Sequence, residues 1–240
     1  MTDLSKFISI VIPAFNESLR ISRALVSTID YLKNQNFDSE IIVVNDGSTD
    51  NTSDEVKKFN GSFKDLKLIE YTHNKGKGYA VKSGMLSAEG KYRFFMDADY
   101  AVPIEYLGFM IKEIENYDII IASRGLTQSI KETHQNFVRE KLAILFGKIQ
   151  KIVLKLPISD TQCGFKLFTE NAAEALFKLI KLDCSLFDAE LLYIAYVKKM
   201  KIKEYPVRWK HDNETRLPIG FVRSLDLLIK LFKIRSSYKP

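Results

Sequence analysis

Five short apolar runs punctuate the first half of the chain, and their spacing narrows the architecture more than any other property. They fall at 7–12, 40–44, 66–69, 92–96 and 118–122, with amphipathic stretches near 17–34, 52–59, 77–88 and 104–116 between them. Runs that are apolar throughout, rather than at every second residue, predict strands buried on both faces, and the intervening helices supply the covering layers. The expected fold class is α/β, a mostly parallel sheet with helices on both faces. Ligands of such sheets bind beyond the carboxyl ends of the strands.

The second half changes character. Residues 136–156 alternate apolar and basic positions at helical spacing, 170–199 read as two helices, 202–209 as a strand and 221–235 as a last basic amphipathic helix. The run from Asp160 to Phe168 has neither helical nor alternating period and reads as a loop lining a site. No linker composition separates the halves, so 1–240 is expected to be one domain with a carboxyl-terminal helical extension.

Composition excludes several classes. With 240 residues, 46% hydrophobic and 28% charged, the chain can bury a sizeable core, which rules out wholesale disorder. No stretch approaches the roughly 20 apolar residues of a membrane span. Residues 1–6 run into the first strand without a signal-peptide pattern, and Cys163 and Cys184 form neither a disulfide framework nor a zinc quartet. The expected location is therefore cytoplasmic. A net charge of +6 favours anionic partners without choosing among them.

The residues that follow each strand are polar. They are Pro13-Ala14-Phe15-Asn16-Glu17, Asn45-Asp46-Gly47-Ser48-Thr49-Asp50, His73-Asn74-Lys75-Gly76-Lys77-Gly78, Asp97-Ala98-Asp99 and Ser123-Arg124-Gly125. Asp97 and Asp99 lie two apart, so an extended backbone aims both carboxylates one way. Two such charges call for a cation, and a hard divalent ion that keeps water and bridges phosphates suits them. Ser48, Thr49 or Asp50 is a natural helix cap, but Asp46 is not explained by capping. Its carboxylate, like that of Glu17, can accept from a nucleoside. The Gly76/Gly78 segment lacks the spacing of a nucleoside-triphosphatase loop, although glycines before a helix leave N–H groups for an anion. Phe187-Asp188-Ala189-Glu190-Leu191-Leu192 places acids in a first helical turn, where capping alone is a sufficient reason.

Taken together, these motifs resemble the inverting family-two glycosyltransferases of GT-A fold, the polyprenyl-phosphate sugar transferases among them, and within those the dolichyl-phosphate β-glucosyltransferases. The resemblance runs from about residue 7 to 235. The Asp160-Thr161-Gln162-Cys163-Gly164-Phe165-Lys166-Leu167-Phe168 and Phe187–Leu192 runs are its most specific parts. It implies that Pro13, Phe15, Glu17 and Asp46 hold the nucleoside of a UDP-sugar, with Asn16, Lys77 and Ala98 in the same motifs. Asp97 and Asp99 would hold Mg²⁺ or Mn²⁺ on the diphosphate. Arg124 and Arg139 would face the acceptor phosphate, with Asp160, Lys166, Asp188 and Glu190 around the transferred sugar as the catalytic set. It also divides the domain into a nucleotide-sugar half, about 7–125, and an acceptor half, about 126–240. This chain departs at Asn45, where the family usually carries a second acid.

The implied reaction moves a sugar, glucose from UDP-glucose, onto polyprenyl phosphate. A mannose or N-acetylhexosamine donor and a non-lipid acceptor are the alternatives. A phosphate monoester is largely dianionic at pH 7 and needs no general base, so His73, His134 and His211 carry no necessary role. A lipid acceptor implies contact with an anionic membrane surface. Val138, Leu142, Leu145, Ile149, Ile152, Val153 and Leu156 form one helical arc opposite Lys141, Lys148, Lys151 and Lys155, a pattern that fits either a bilayer surface or the core. Leu225, Leu228, Ile229 and Phe232 repeat it near the carboxyl end. Self-association into a homo-oligomer stays among the expected partners, and nucleic acid does not, for want of any RNA-binding or helix-turn-helix pattern.

Overall fold

A computed structural model describes residues 6–132, 137–210 and 221–238, without the side chains of 131, 137–145 and 221–225. Its main sheet has seven strands: β1 (Ile8–Ala14), β2 (Ser39–Asn45), β3 (Leu66–Glu70), β4 (Tyr92–Met96), β5 (Ile119–Ser123), β7 (Phe165–Thr169) and β8 (Ile202–Pro206). Their order across the sheet is β3-β2-β1-β4-β7-β5-β8. All neighbours run parallel except β7, which is antiparallel to both β4 and β5. A two-stranded ribbon pairs β6 (Ile130–Lys131) with β9 (Arg208–Trp209).

Eight α-helices complete the described residues: α1 (Ile21–Lys33), α2 (Thr52–Lys57), α3 (Lys77–Ser87), α4 (Tyr106–Glu113), α5 (Phe137–Leu154), α6 (Glu170–Phe177), α7 (Phe187–Val197) and α8 (Phe221–Ser237). Alternation along the strands builds two cores. Val11, Ile42, Phe95, Ile121 and Phe168 face a layer made by α3, α6, α7 and parts of α5 and α8. Ile12, Val43, Phe94, Ile120 and Leu167 face α1 and α4. Both faces of the five interior strands are thus buried, whereas the edge strands β3 and β8 are only partly covered, which is why the interior runs show no polar alternation.

Two expectations need correction. Residues 165–169 are not loop but a buried interior strand, disguised because Lys166 interrupts its apolar run and is fully enclosed. The expected strand 202–209 is split between β8 and β9, in different sheets. The arc expected over 138–156 divides as well: Val153 of α5 and Leu156 just beyond it are buried, whereas Ile152 is 73% exposed, and the side chains of Val138, Leu142 and Leu145 lie outside the described residues.

Register explains where the polar segments meet. Ala14 lies opposite Asn45, so the first two loops leave the sheet at one level. Met96 lies opposite Phe165, so antiparallel β7 begins where β4 ends, and residues 160–164 are delivered to the Asp97 edge. Ser123 pairs with Pro206, which brings Arg124 and Trp209 to the same edge.

Candidate active site

The loops after β1 and β2 fasten each other. Asn16, in the left-handed region at φ 56°, accepts from the Thr49 N–H at 2.7 Å and donates its own N–H to Ser48 Oγ at 2.9 Å. The Glu17 N–H donates to Thr52 Oγ1 at 2.7 Å. Phe15 is left exposed at the rim beside buried Pro13. Glu17 itself holds Arg20 through two bonds of 2.6 and 2.7 Å.

Asp46 is buried, and the chain itself uses its carboxylate. It accepts from the Lys75 N–H (2.9 Å), the Gly76 N–H (2.8 Å) and Asn74 Nδ2 (2.9 Å), fixing the segment before α3. Burial outweighs these donors and moves its pKa up. Asn45, the departure from a second acid, caps the same turn by accepting from the Ser48 N–H at 3.1 Å.

Clamping that segment aims Lys77. Its Nζ lies 2.6 Å from Asp97 Oδ1, and the two side chains remain 34% and 32% exposed. Burial disfavours the ammonium, but the carboxylates of Asp97, Asp188 and Asp99 outweigh it and raise its pKa. Asp99 accepts from the Ala101 N–H at 3.1 Å, and burial together with Asp97 pushes it upward. Ala98 between them is buried. Gly164 lies directly against Asp97: a Cβ there would sit 2.2 Å from Asp97 Oδ2, so a larger residue would have to displace the carboxylate that meets Lys77.

Lys166 projects from β7 toward α7 and forms an ion pair with Asp188 in which the side chains are 0% and 2% exposed. It also donates to the Cys163 carbonyl at 2.6 Å. Burial outweighs the attraction of Lys166 and Lys77 and leaves Asp188 with a raised pKa. Burial pushes the Cys163 thiol up to about 12, so it stays protonated.

Arg124 grips Asp160 through Nε (2.6 Å) and Nη2 (2.9 Å), with its backbone N–H adding a third bond at 3.0 Å. Burial opposes ionisation of Asp160, but Arg124 overrides it and holds the carboxyl at about 2. The guanidinium also stacks over Trp209 at 5.3 Å. Glu204 of β8 secures the turn from behind, accepting from the Ser159 N–H at 2.9 Å and the Asp160 N–H at 3.2 Å.

The fold therefore brings Lys77, Asp97, Asp99, Lys166 and Asp188 together, with Arg124 and Asp160 beside them. Glu190 is placed differently: its carboxylate accepts from the Lys181 and Leu182 N–H groups at 3.1 and 2.8 Å. The side chain of Arg139, and His134 and His211, lie outside the described residues, and His73 is exposed. Arg20, Gly164, Glu204 and Trp209 were not singled out by sequence. Only Glu17-x-x-Arg20, an ion pair at helical spacing, left a local signal.

The donor set fits a hard divalent ion. Two neighbouring carboxylates, one of them pushed up by the other, supply part of a shell that water and phosphate oxygens complete. Among the described residues there is no group of three or more His, Cys, Asp or Glu positioned to hold a metal alone.

Residues 9–177 match the Glycosyl transferase family 2 pattern. The chain is 36% identical over 235 residues to a dolichyl-phosphate beta-glucosyltransferase of Trichomonas vaginalis, covering 92% of this chain and 72% of that one. It is 32% identical to the Saccharomyces cerevisiae dolichyl-phosphate beta-glucosyltransferase (97% and 75% covered) and 32% to the Homo sapiens one (98% and 76%). Among solved structures, the fold is similar to Mycobacterium tuberculosis glucosyl-3-phosphoglycerate synthase in complex with UDP. That likeness has a TM-score of 0.66 and 17% identity, over 97% of this chain and 84% of that one. A complex of the same synthase with Mn²⁺, UDP-glucose and glycerol 3-phosphate gives 0.65 at 17% (96% and 80%), and S. aureus TarS with UDP gives 0.63 at 18% (95% and 64%).

Proposed function

The chain belongs to glycosyltransferase family 2, and on that premise we propose that it transfers glucose from UDP-glucose to dolichyl or another polyprenyl phosphate, with inversion at the anomeric carbon. The observation that carries this reading is that, among the described residues, the three carboxylates expected around the sugar are already committed. Asp160 is ionised and gripped by Arg124, Asp188 is enclosed with Lys166, and Glu190 serves backbone amides. None of these three stands ready as a general base. An acceptor that is itself an anionic nucleophile, such as a phosphate monoester, needs none.

The reading assigns roles to the chain's own residues. Phe15 and the interlocked loops after β1 and β2 border the nucleoside, while Lys77 offers its charge to the diphosphate. Asp97 and Asp99 would hold Mg²⁺ or Mn²⁺, which when bound offsets the charge that builds on the departing nucleotide. Arg124, held by Asp160 and Trp209, presents the rest of its guanidinium to the acceptor phosphate. On this reading 1–240 is one glycosyltransferase domain, with a donor half (about 7–125) and an acceptor half (about 126–240).

The acceptor's tail calls for a membrane contact, and the α5–α8 pair offers one. Ile152, Ile229 and Phe232 are 73%, 60% and 61% exposed, among exposed Lys148, Lys151, Lys155, Lys233 and Arg235. Apolar side chains ringed by cations suit an anionic interface. No helix among the described residues is long and apolar enough to cross a membrane, so we propose peripheral attachment at the cytoplasmic face.

The direct test incubates the protein with Mg²⁺, polyprenyl phosphate and radiolabelled UDP- and GDP-sugars, then counts label in the organic phase. Label from UDP-glucose is expected. Label from another donor alone would replace the sugar, and none from any donor would overturn the lipid acceptor.

A further inference from the structure

Glu190 and Tyr238 have no place in the chemistry above, yet both connect to the donor loop. The hydroxyl of Tyr238, just past α8, lies 2.8 Å from Glu190 Oε1 and 3.0 Å from the Leu179 carbonyl, with the nearer carboxylate oxygen as the acceptor of its one proton. The other oxygen of Glu190, a residue only 2% exposed, holds the N–H groups of Lys181 and Leu182. The next carbonyl, that of Asp183, accepts from the Gly78 N–H at 2.8 Å. The same carbonyl lies 2.3 Å from where a Cβ on Gly76 would be, so the 181–183 turn presses on the loop at both glycines. Lys77 sits between those glycines and reaches Asp97. Asp46 clamps the loop from the opposite side.

We infer that Glu190 and Tyr238 are positioning residues for donor binding: they fix the 181–183 turn, the turn fixes Gly76 to Gly78, and the loop aims Lys77 at the nucleoside diphosphate. The carboxyl-terminal helix thereby sets donor affinity from a distance. The inference rests on the donor reading of the Lys77–Asp97 site. A role in stability alone would lower the unfolding temperature and leave donor affinity, measured well below it, unchanged.

The test titrates UDP with Mn²⁺ into wild type, Tyr238→Phe, Glu190→Gln, Glu190→Ala and the Tyr238→Phe/Glu190→Ala double variant. Lys178→Ala, which breaks only the exposed Lys178–Glu174 pair, is the control. Tyr238→Phe should weaken UDP about threefold and Glu190→Ala about tenfold, as loss of one and of several hydrogen bonds implies. Glu190→Gln, which keeps an acceptor oxygen, should fall between wild type and Glu190→Ala. Because Tyr238 acts through Glu190, the double variant should match Glu190→Ala rather than lose a further threefold. If Glu190→Ala does not fold, Tyr238→Phe and Glu190→Gln decide alone. UDP affinities equal to wild type in the folded variants would overturn the inference, whatever their unfolding temperatures. No UDP binding by wild type would overturn the donor reading first, and this inference with it.

Discussion

Two lysine–aspartate pairs stand within one site, and the chain treats them differently. Lys77–Asp97 joins a loop to a strand end and remains about one-third exposed. Lys166–Asp188 joins a central strand to a helix and is sealed. An exposed pair exchanges protein contacts for water or ligand at little cost, because an exposed ion pair contributes only about 0–1 kcal/mol. A sealed pair cannot open, since either partner left alone is an uncompensated buried charge. The contrast separates the part of the site that takes a ligand from the part that holds its frame. Arg124–Asp160 lies between the extremes, its guanidinium 26% and its carboxylate 9% exposed.

The most direct way to break this contrast is to remove each lysine. Lys166→Met should cost about 3–5 kcal/mol in urea unfolding, whereas Lys77→Met should cost about 1 kcal/mol or less. Adding Asp188→Leu to Lys166→Met should restore most of the loss, and equal losses for the two single variants would erase the distinction. Next comes activity. Asp99→Asn should lower lipid-linked sugar formation about 100- to 1000-fold, with stability unchanged or raised, because burial and Asp97 already disfavour its charge.

A smaller effect is a pH dependence. Asp160 is depressed from 3.8 to about 2 by Arg124, so its contribution is complete above pH 4 and is lost as pH falls from about 4 to 2. At 1.36 kcal/mol per unit that amounts to about 2 kcal/mol. Acid unfolding of Asp160→Asn should lack that segment of the slope. Smallest is Glu204→Gln, which weakens the hold on the 159–160 turn and should raise the acceptor KM about threefold with kcat little changed. A fall in kcat at constant KM would instead give Glu204 a part in the chemistry.

Much of this was legible from residue order. The apolar runs announced β1 to β5, and the polar segment after each marked its carboxyl end. Asp97 and Asp99, expected as a pair from their spacing, lie in the turn after β4 rather than on the strand, near enough for Asp97 to add to the burial that pushes Asp99 upward. What escaped was set by contacts far apart in the chain. β7 was unreadable because a lysine in its middle looks like a surface residue until Asp188, 22 positions on, is known to meet it. Glu204 gave no signal, since its task is to cap a turn some 44 residues earlier. The resemblance implied Glu190 as a sugar contact, whereas its carboxylate meets the Lys181 and Leu182 N–H groups.

The sequence by itself determined the alternating elements, the two-sided burial of the interior strands and the chemical types gathered along one edge. These depend on propensity and periodicity over a few residues. Tertiary structure alone decided which of those groups touch. Inserting β7 antiparallel between β4 and β5 carries Gly164 onto Asp97 and Lys166 under Asp188. Strand order and register are properties of distant pairings, and no local pattern encodes them.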